Sequence, residues 1–243
     1  MRLDKYLAHT GFGTRKEVKS LISSGQVLVN GQVVKKVGYQ VVENQDLVQV
    51  DGQNVHYEQF TYLMVHKPQG VLSATEDRFS ETVLDLIGPE YGHLSLFPIG
   101  RLDKDTTGLL ILTNDGQLAH RLLSPKHHVD KTYQAWVQGP IDQAIIECFM
   151  KGLDLGDFIT MPAGLKVLDY DPVQDLSFIE VTIQEGKFHQ VKRMFKKVGS
   201  HVITLHRNKM GPISLDQDLP EGAYRPLNSE EINALMPYGL GQD

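Results

Sequence analysis

Hydrophobic positions change their period several times along the 243-residue chain, and each change predicts an element. Leu3, Tyr6 and Leu7 recur at i, i+3 and i+4, the spacing of a short amphipathic helix. Thr14-Arg15-Lys16-Glu17 matches a capping box, with Thr14 as N-cap and Glu17 at the third helical position. The helix it opens buries Val18, Leu21 and Ile22. Residues 26–34 flank Asn30-Gly31, the dipeptide of a type I′ hairpin turn, and residues 47–50 form a further strand closed by Asp51-Gly52. Residues 53–59 are polar, lack a core pattern and read as a linker. The expected division is a small domain at 1–58 and a larger one at 59–243.

The larger part has a different texture. Residues 62–65 form a strand that ends in the turn Lys67-Pro68-Gln69-Gly70. Residues 109–113 are continuously apolar and closed by Asn114-Asp115-Gly116, as a buried strand would be. Residues 132–137 and 178–183 alternate with period two. From Gln190 the period becomes helical, with Val191, Met194, Phe195 and Val198 on one face and Gly199 just beyond the end. Residues 202–205 are another strand. Many strands, few helices and no regular βαβ alternation predict an α+β fold on a mixed, mostly antiparallel sheet.

Composition narrows the function classes. With 41% hydrophobic and 22% charged residues the chain can bury an ordinary core. Its one cysteine, Cys148, excludes an intramolecular disulfide, and its apolar neighbours suggest a small core residue. No metal-ligand spacing and no phosphate-binding glycine loop occurs, so neither metal nor cofactor is expected. No apolar run reaches membrane-spanning length, and the start of the chain has no signal-peptide pattern. A soluble cytoplasmic monomer is the expectation.

The net charge of −6 argues against a nucleic-acid partner until the charges are placed. Residues 1–36 hold Arg2, Lys5, Arg15, Lys16, Lys19, Lys35 and Lys36 against only Asp4 and Glu17. Residues 185–209 hold Lys187, Lys192, Arg193, Lys196, Lys197, Arg207 and Lys209 against Glu185 alone. Arg15 and Lys19 stand at i, i+4, a repulsive spacing that an anionic partner would relieve. The acidic stretch from Glu43 to Asp51 and the acidic tail after Met210 suggest only solubility. Asp103 lies in a Gly- and Thr-rich loop just ahead of the buried strand, a common placement for a catalytic carboxylate. By spacing alone, an aspartate that caps a turn fits equally well.

Two resemblances decide between these readings. Arg2-Leu3-Asp4-Lys5-Tyr6-Leu7, the helix from Arg15 to Ile22, and Gly25-Gln26-Val27-Leu28-Val29-Asn30-Gly31 resemble the S4 RNA-binding domain. That likeness implies that Arg2, Lys5, Arg15, Lys16 and Lys19 lie against RNA backbone, contacts that position more than they specify. Gly100-Arg101-Leu102-Asp103-Lys104-Asp105-Thr106-Thr107-Gly108 resembles the signature loop of the pseudouridine synthases of the small-ribosomal-subunit branch. Lys67-Pro68-Gln69-Gly70, Lys131-Thr132-Tyr133, and Glu185-Gly186-Lys187-Phe188-His189-Gln190-Val191-Lys192-Arg193-Met194 accompany it in the family's order.

The family likeness implies Asp103 as catalytic aspartate, Tyr133 as the ring that stacks on the target base, Lys192 as the basic partner of Asp103, and Arg101 as a support for the loop. Lys192 and Arg193 point about 100° apart on a helix, so one of them faces the pocket, and Lys192 is the choice. His189 and Arg193 are expected against RNA. The implied reaction breaks C1′–N1 of a uridine, turns the uracil and joins C5 to C1′, which requires no redox partner or metal. The base must leave its stack to be reached. Attack at C1′, attack at the ring and abstraction of a ribose proton remain open. Phe188-His189 resembles enzymes acting on 16S rRNA more than large-subunit relatives, which tend to an Asn-Arg pair. The expected substrate is therefore one uridine of 16S rRNA, on a precursor or assembly intermediate. The alternatives are a 23S rRNA enzyme and a non-catalytic assembly factor.

Overall fold

The computed structural model describes residues 1–43 and 45–240; Asp243 of the acidic tail lies outside them. The chain divides into two compact units, Met1–Thr61 with Ile87–Leu96, and Tyr62–Leu86 with Phe97–Asp243.

The first unit begins with α1 (Leu3–His9) and α2 (Arg15–Ser24). The capping box at Thr14 forms: the Glu17 N–H donates to Thr14 Oγ1, and the Thr14 N–H donates to Glu17 Oε2 at 2.7 Å. Strands β1 (Val27–Val29) and β2 (Gln32–Val33) make the hairpin, with Asn30 at φ 52° and Gly31 at φ 77°. Both turn residues are left-handed, as a type I′ turn requires. Strands β3 (Val48–Val50) and β4 (Gln53–Val55) complete a sheet of order β2-β1-β3-β4. The core is aliphatic, with Leu3, Leu7, Val18, Ile22, Val27 and Val48 fully buried.

Two expectations are corrected in this unit. Residues 53–55 are not linker: they are β4, paired with β3, and Val55 is buried. Three residues, two exposed and one buried, are too short to show a period. Asp46 is more than a solubilising charge, because it accepts hydrogen bonds from Asn30 Nδ2 at 2.8 Å and from the Val42 N–H at 2.7 Å.

In the second unit the elements run β5 (Tyr62–Lys67), β6 (Phe97–Pro98), β7 (Thr107–Thr113), α3 (Gly116–Leu123), β8 (Lys131–Gln138) and α4 (Gln143–Lys151). They continue with β9 (Gly164–Asp171), β10 (Leu176–Ile183), α5 (Gln190–Lys197), β11 (Val202–Met210), β12 (Ile213–Ser214), β13 (Tyr224–Pro226) and α6 (Ser229–Leu235). Among the described residues the sheet has nine strands, in the order β13-β5-β7-β11-β8-β10-β9, with β6 on β7 and β12 on β11. The β7–β11 pair is parallel and the other pairs are antiparallel, so the fold is α+β on a mixed, mostly antiparallel sheet. β7 is central and covered on both faces, which is why its sequence is a continuous apolar run. Gly108 permits its close approach to β11, because a Cβ there would lie 2.4 Å from the Arg207 carbonyl oxygen.

One face of β8 and β10 is covered by α4 and α5, with Ala135, Val137, Phe149, Ile179, Met194 and Phe195 at its centre. Cys148 is a correction: it is exposed. The stripe of α4 that packs inward is Ile145, Ile146 and Phe149, and Cys148 falls about 100° from Phe149 around the helix. Helix α3 was hidden in what looked like a closing turn. Asp115 is its N-cap, accepting from the Gln117 and Leu118 N–H groups at 3.0 and 2.9 Å. The acidic tail also has a structural part, since Asp216 and Glu231 clasp Arg225 at 2.7 and 2.8 Å. No helix among the described residues is long and apolar enough to cross a membrane.

Candidate active site

Asp103 opens the turn that leads into β7, closed by a bond from the Thr106 N–H to its carbonyl at 3.1 Å. The turn is held from beneath by Lys67, the last residue of β5, which is fully buried. Its ammonium donates to the carbonyls of Pro68 at 2.9 Å, Thr106 at 2.9 Å and Lys104 at 3.4 Å. Burial lowers the pKa of Lys67 to about 8, against the opposing pull of Asp105, Asp103 and Glu221. Ser73 Oγ holds the other side of the loop by donating to the Leu102 carbonyl and accepting from its N–H, both at 3.0 Å. Asp103 is thus carried on a turn fixed by buried contacts while its own side chain stays 27% exposed.

Helix α5 supplies the cation. Lys192 Nζ lies 3.0 Å from Asp103 Oδ2 and 2.6 Å from Asp105 Oδ1, so one ammonium is shared by two carboxylates. Burial alone would lower the Lys192 pKa, but the hydrogen bonds and charges of Asp105 and Asp103 outweigh it and raise it above the ordinary lysine value. The hydrogen bond from Lys192 in turn holds Asp105 below the usual carboxylate range. A cation so placed favours ionised carboxylates. His189, in left-handed conformation at φ 49°, brings its Nε2 to 3.5 Å from Asp103 Oδ1. Gln190 fixes the approach to the helix, accepting from the Lys187 N–H at 3.1 Å and donating to Glu185 at 2.8 Å.

Tyr133 on β8 is 7% exposed and packs in the core beneath this carboxylate–lysine group. It lines a cavity of about 60 Å³ together with Asp103, Lys192, His189 and Leu205. Arg101 is exposed and lines both this cavity and a larger one of about 950 Å³ that shares Leu102, Asp103 and His189 with it. The structure brings Asp103, Lys192, Tyr133, Arg101 and His189 together. Arg193 is turned elsewhere: its guanidinium donates to Asp157 and to the Leu155 carbonyl.

A second group of the sequence-predicted residues meets in the first unit. Arg2, Lys5, Arg15 and Lys19 line a concavity of about 590 Å³ with Asp4 and Glu43, while Lys16 stands outside that lining. Arg15 and Lys19 share a face of α2, from which Lys16 is rotated about 100°. Arg2 is partly neutralised within the chain, donating from Nε to Asp4 at 3.0 Å and from Nη2 at 3.1 Å.

The sequence names Lys67 only within its Lys-Pro-Gln-Gly turn and Phe188 only within the Phe188-His189 pair, and gives neither a role. The structure puts Lys67 beneath the Asp103 turn and Phe188 on the wall of the larger cavity. A lysine ending an apolar strand and preceding Pro-Gln-Gly was the available signal for Lys67. The aromatic placed before His-Gln was the signal for Phe188.

A carboxylate beside an ammonium above a buried tyrosine, next to a larger cavity, is an arrangement fit for chemistry on a bound substrate. Comparison with known proteins says which class of enzyme it belongs to. The family model described as RNA pseudouridylate synthase matches residues 61–197, and the S4 domain model matches residues 1–47. The chain is 48% identical to the uncharacterized RNA pseudouridine synthase YtzG of Bacillus subtilis, covering 97% of this chain and 98% of that protein. It is 43% identical to ribosomal small subunit pseudouridine synthase A of Vibrio cholerae, over 97% and 99% of the two chains. Ribosomal large subunit pseudouridine synthase B of Bacillus subtilis is 38% identical over 96% and 95%. A solved pseudouridylate synthase superposes with a TM-score of 0.66 at 38% identity, covering 97% of this chain and 99% of that one. The chain belongs to the RNA pseudouridylate synthase family: it is an isomerase with an S4 domain at its N-terminus.

Proposed function

We propose that this protein converts one uridine of 16S rRNA to pseudouridine, with Asp103 as the catalytic group. The observation that carries the chemistry is the Lys192 ammonium 3.0 Å from the Asp103 carboxylate, at the mouth of a cavity floored by Tyr133. Attack at C1′, attack at the uracil ring and removal of a ribose proton all require an ionised carboxylate. The Lys192 ammonium, held above the ordinary lysine value by Asp105 and Asp103, supplies the countercharge beside that carboxylate. Tyr133 receives the flipped uracil against its ring, which offsets part of the cost of taking the base from its stack. Arg101, at the rim, meets the RNA strand as it enters. The rearrangement is redox-neutral and adds no atoms, so the reading includes no cofactor and no metal.

In this reading residues 1–58 act as the RNA-binding domain and 59–243 as the catalytic domain. Lys5, Arg15 and Lys19 contact phosphates, with Arg2, Lys16 and His189 as further RNA contacts; Arg193, engaged by Asp157, is left out of that set. The protein works as a monomer in the cytoplasm, on a small-subunit precursor or assembly intermediate in which the uridine is still accessible. The small-subunit choice is supported by the 43% identity to a small-subunit enzyme. The 38% identity to a large-subunit enzyme favours 23S rRNA as the second reading. Purified protein incubated separately with 16S and 23S transcripts, followed by pseudouridine mapping, tests the choice. Conversion of one uridine in 16S rRNA is expected. Conversion in 23S rRNA alone would replace the small-subunit reading with the second one.

A further inference from the structure

Phe188 lies between the family's Gly-Lys and His-Gln residues, yet the reaction as described leaves it unused. Its side chain is 74% exposed, unlike the aromatic rings of the core. It is not a loose surface residue. One face of the ring stacks on His189, with centroids 3.8 Å apart and planes 19° from parallel. His189 is the residue before α5, and its Nε2 stands 3.5 Å from Asp103 Oδ1. The open face of Phe188 is therefore oriented by residues tied to the catalytic carboxylate.

The ring lines the larger cavity of about 950 Å³, whose apolar patches come from Leu72, Leu123 and Pro125 and whose cations include Lys104 and Lys187. The smaller cavity over Tyr133 is about 60 Å³, so a strand whose target base meets Tyr133 continues into the larger cavity, which shares Asp103 and His189 with it. Removing a base from its stack also exposes a face of each flanking base. An aromatic ring with an exposed face, on the wall of a cavity that also carries cations, is the usual answer of single-strand binding surfaces to such a base.

We propose that Phe188, braced by His189, is a stacking shelf for the base next to the target uridine, and so a residue that selects sequence context. This rests on the reading that the active site receives a flipped uridine. The test uses a hairpin taken from whichever rRNA transcript, 16S or 23S, the wild-type protein modifies. Affinity and single-turnover rate at saturation are measured for wild type, Phe188→Ala and Phe188→Trp. Each is tested on the intact hairpin and on hairpins with an abasic ribose at either flanking position.

Phe188→Ala should weaken binding roughly tenfold, the scale of one base–aromatic stack, and leave the saturating rate within about twofold. Phe188→Trp should restore affinity. One abasic position should weaken wild type by a similar factor and cause no further loss in Phe188→Ala. Unchanged affinity in Phe188→Ala, or losses that add at both flanking positions, would overturn the shelf. Loss of the saturating rate in Phe188→Ala with no abasic coupling would instead put the ring on the target base. If wild type modifies neither transcript, the flipped-uridine reading falls and the shelf with it. Modification with an indifferent Phe188→Ala removes the shelf alone.

Discussion

The molecule has two clusters of cations, and they differ in what answers them. In the S4 unit Lys5, Arg15 and Lys19 are exposed around a concavity whose acidic members are Asp4 and Glu43, and Asp4 is already paired with Arg2. In the catalytic unit Lys192 is shared by Asp103 and Asp105, Arg193 is paired with Asp157, and Lys67 is buried against carbonyls. The first arrangement leaves positive charge for an external anion, and its contribution is sensitive to salt. The second already has its positive charge answered within the chain, by carboxylates or by carbonyls. Basic residues are therefore not equivalent markers of RNA contact. Their burial and partners separate binding from positioning.

Substitutions can break this contrast, starting with the largest effect. Asp103→Asn should lower the rate of pseudouridine formation by roughly 10²–10⁴-fold or more while RNA affinity is retained, as read by single-turnover assays beside binding curves. Lys192→Met should lower the saturating rate on the order of 10²-fold, with binding much less affected. An equal loss in both quantities would mean that Lys192 is a phosphate contact like Arg15.

Lys67→Met should leave the Thr106 and Pro68 carbonyls buried without a donor. The expected destabilisation is about 1–3 kcal/mol, measurable by denaturant unfolding. Its pH dependence has a definite sign. Lys67 titrates near 8 in the folded protein and at about 10.4 when unfolded, so the unfolded state binds more protons between those values. Wild-type stability from this residue therefore rises with pH from about 8 to 10.4, and the deficit of Lys67→Met widens over that window. A deficit independent of pH would show that the buried amine does not titrate there. The smallest effect is kinetic steering on the S4 side. Arg15→Gln with Lys19→Gln should reduce the slope of log affinity against log salt by roughly 0.7–0.9 per charge and leave the saturating rate unchanged.

Local signals were the legible ones. Asn30-Gly31 carries its turn in two residues, and the Thr14–Glu17 capping box closes within four, so each forms as its sequence pattern predicts. The period of α5 could be followed from Val191 to Phe195 because one face meets a continuous core. What escaped depended on distant partners. Asp115 resembles a turn residue until Tyr62, 53 positions away, donates to it and α3 starts from it. Lys67 resembles the polar end of a strand until the turn 103–106 is folded over it. Cys148 has apolar neighbours in sequence, yet it projects away from the face of α4 that they bury. At the site, Asp103 was conspicuous through its motif, whereas the sharing of Lys192 between Asp103 and Asp105 arises only when α5 is brought to the turn.

The central claim is that Asp103 drives isomerisation of a uridine in small-subunit rRNA. The most direct test is to map pseudouridine in the rRNA of cells lacking this protein, then in the same cells supplied with wild type or Asp103→Asn. The account predicts that one 16S pseudouridine disappears, returns with wild type and stays absent with Asp103→Asn. Restoration by Asp103→Asn, or an rRNA map unchanged by loss of the protein, would contradict it.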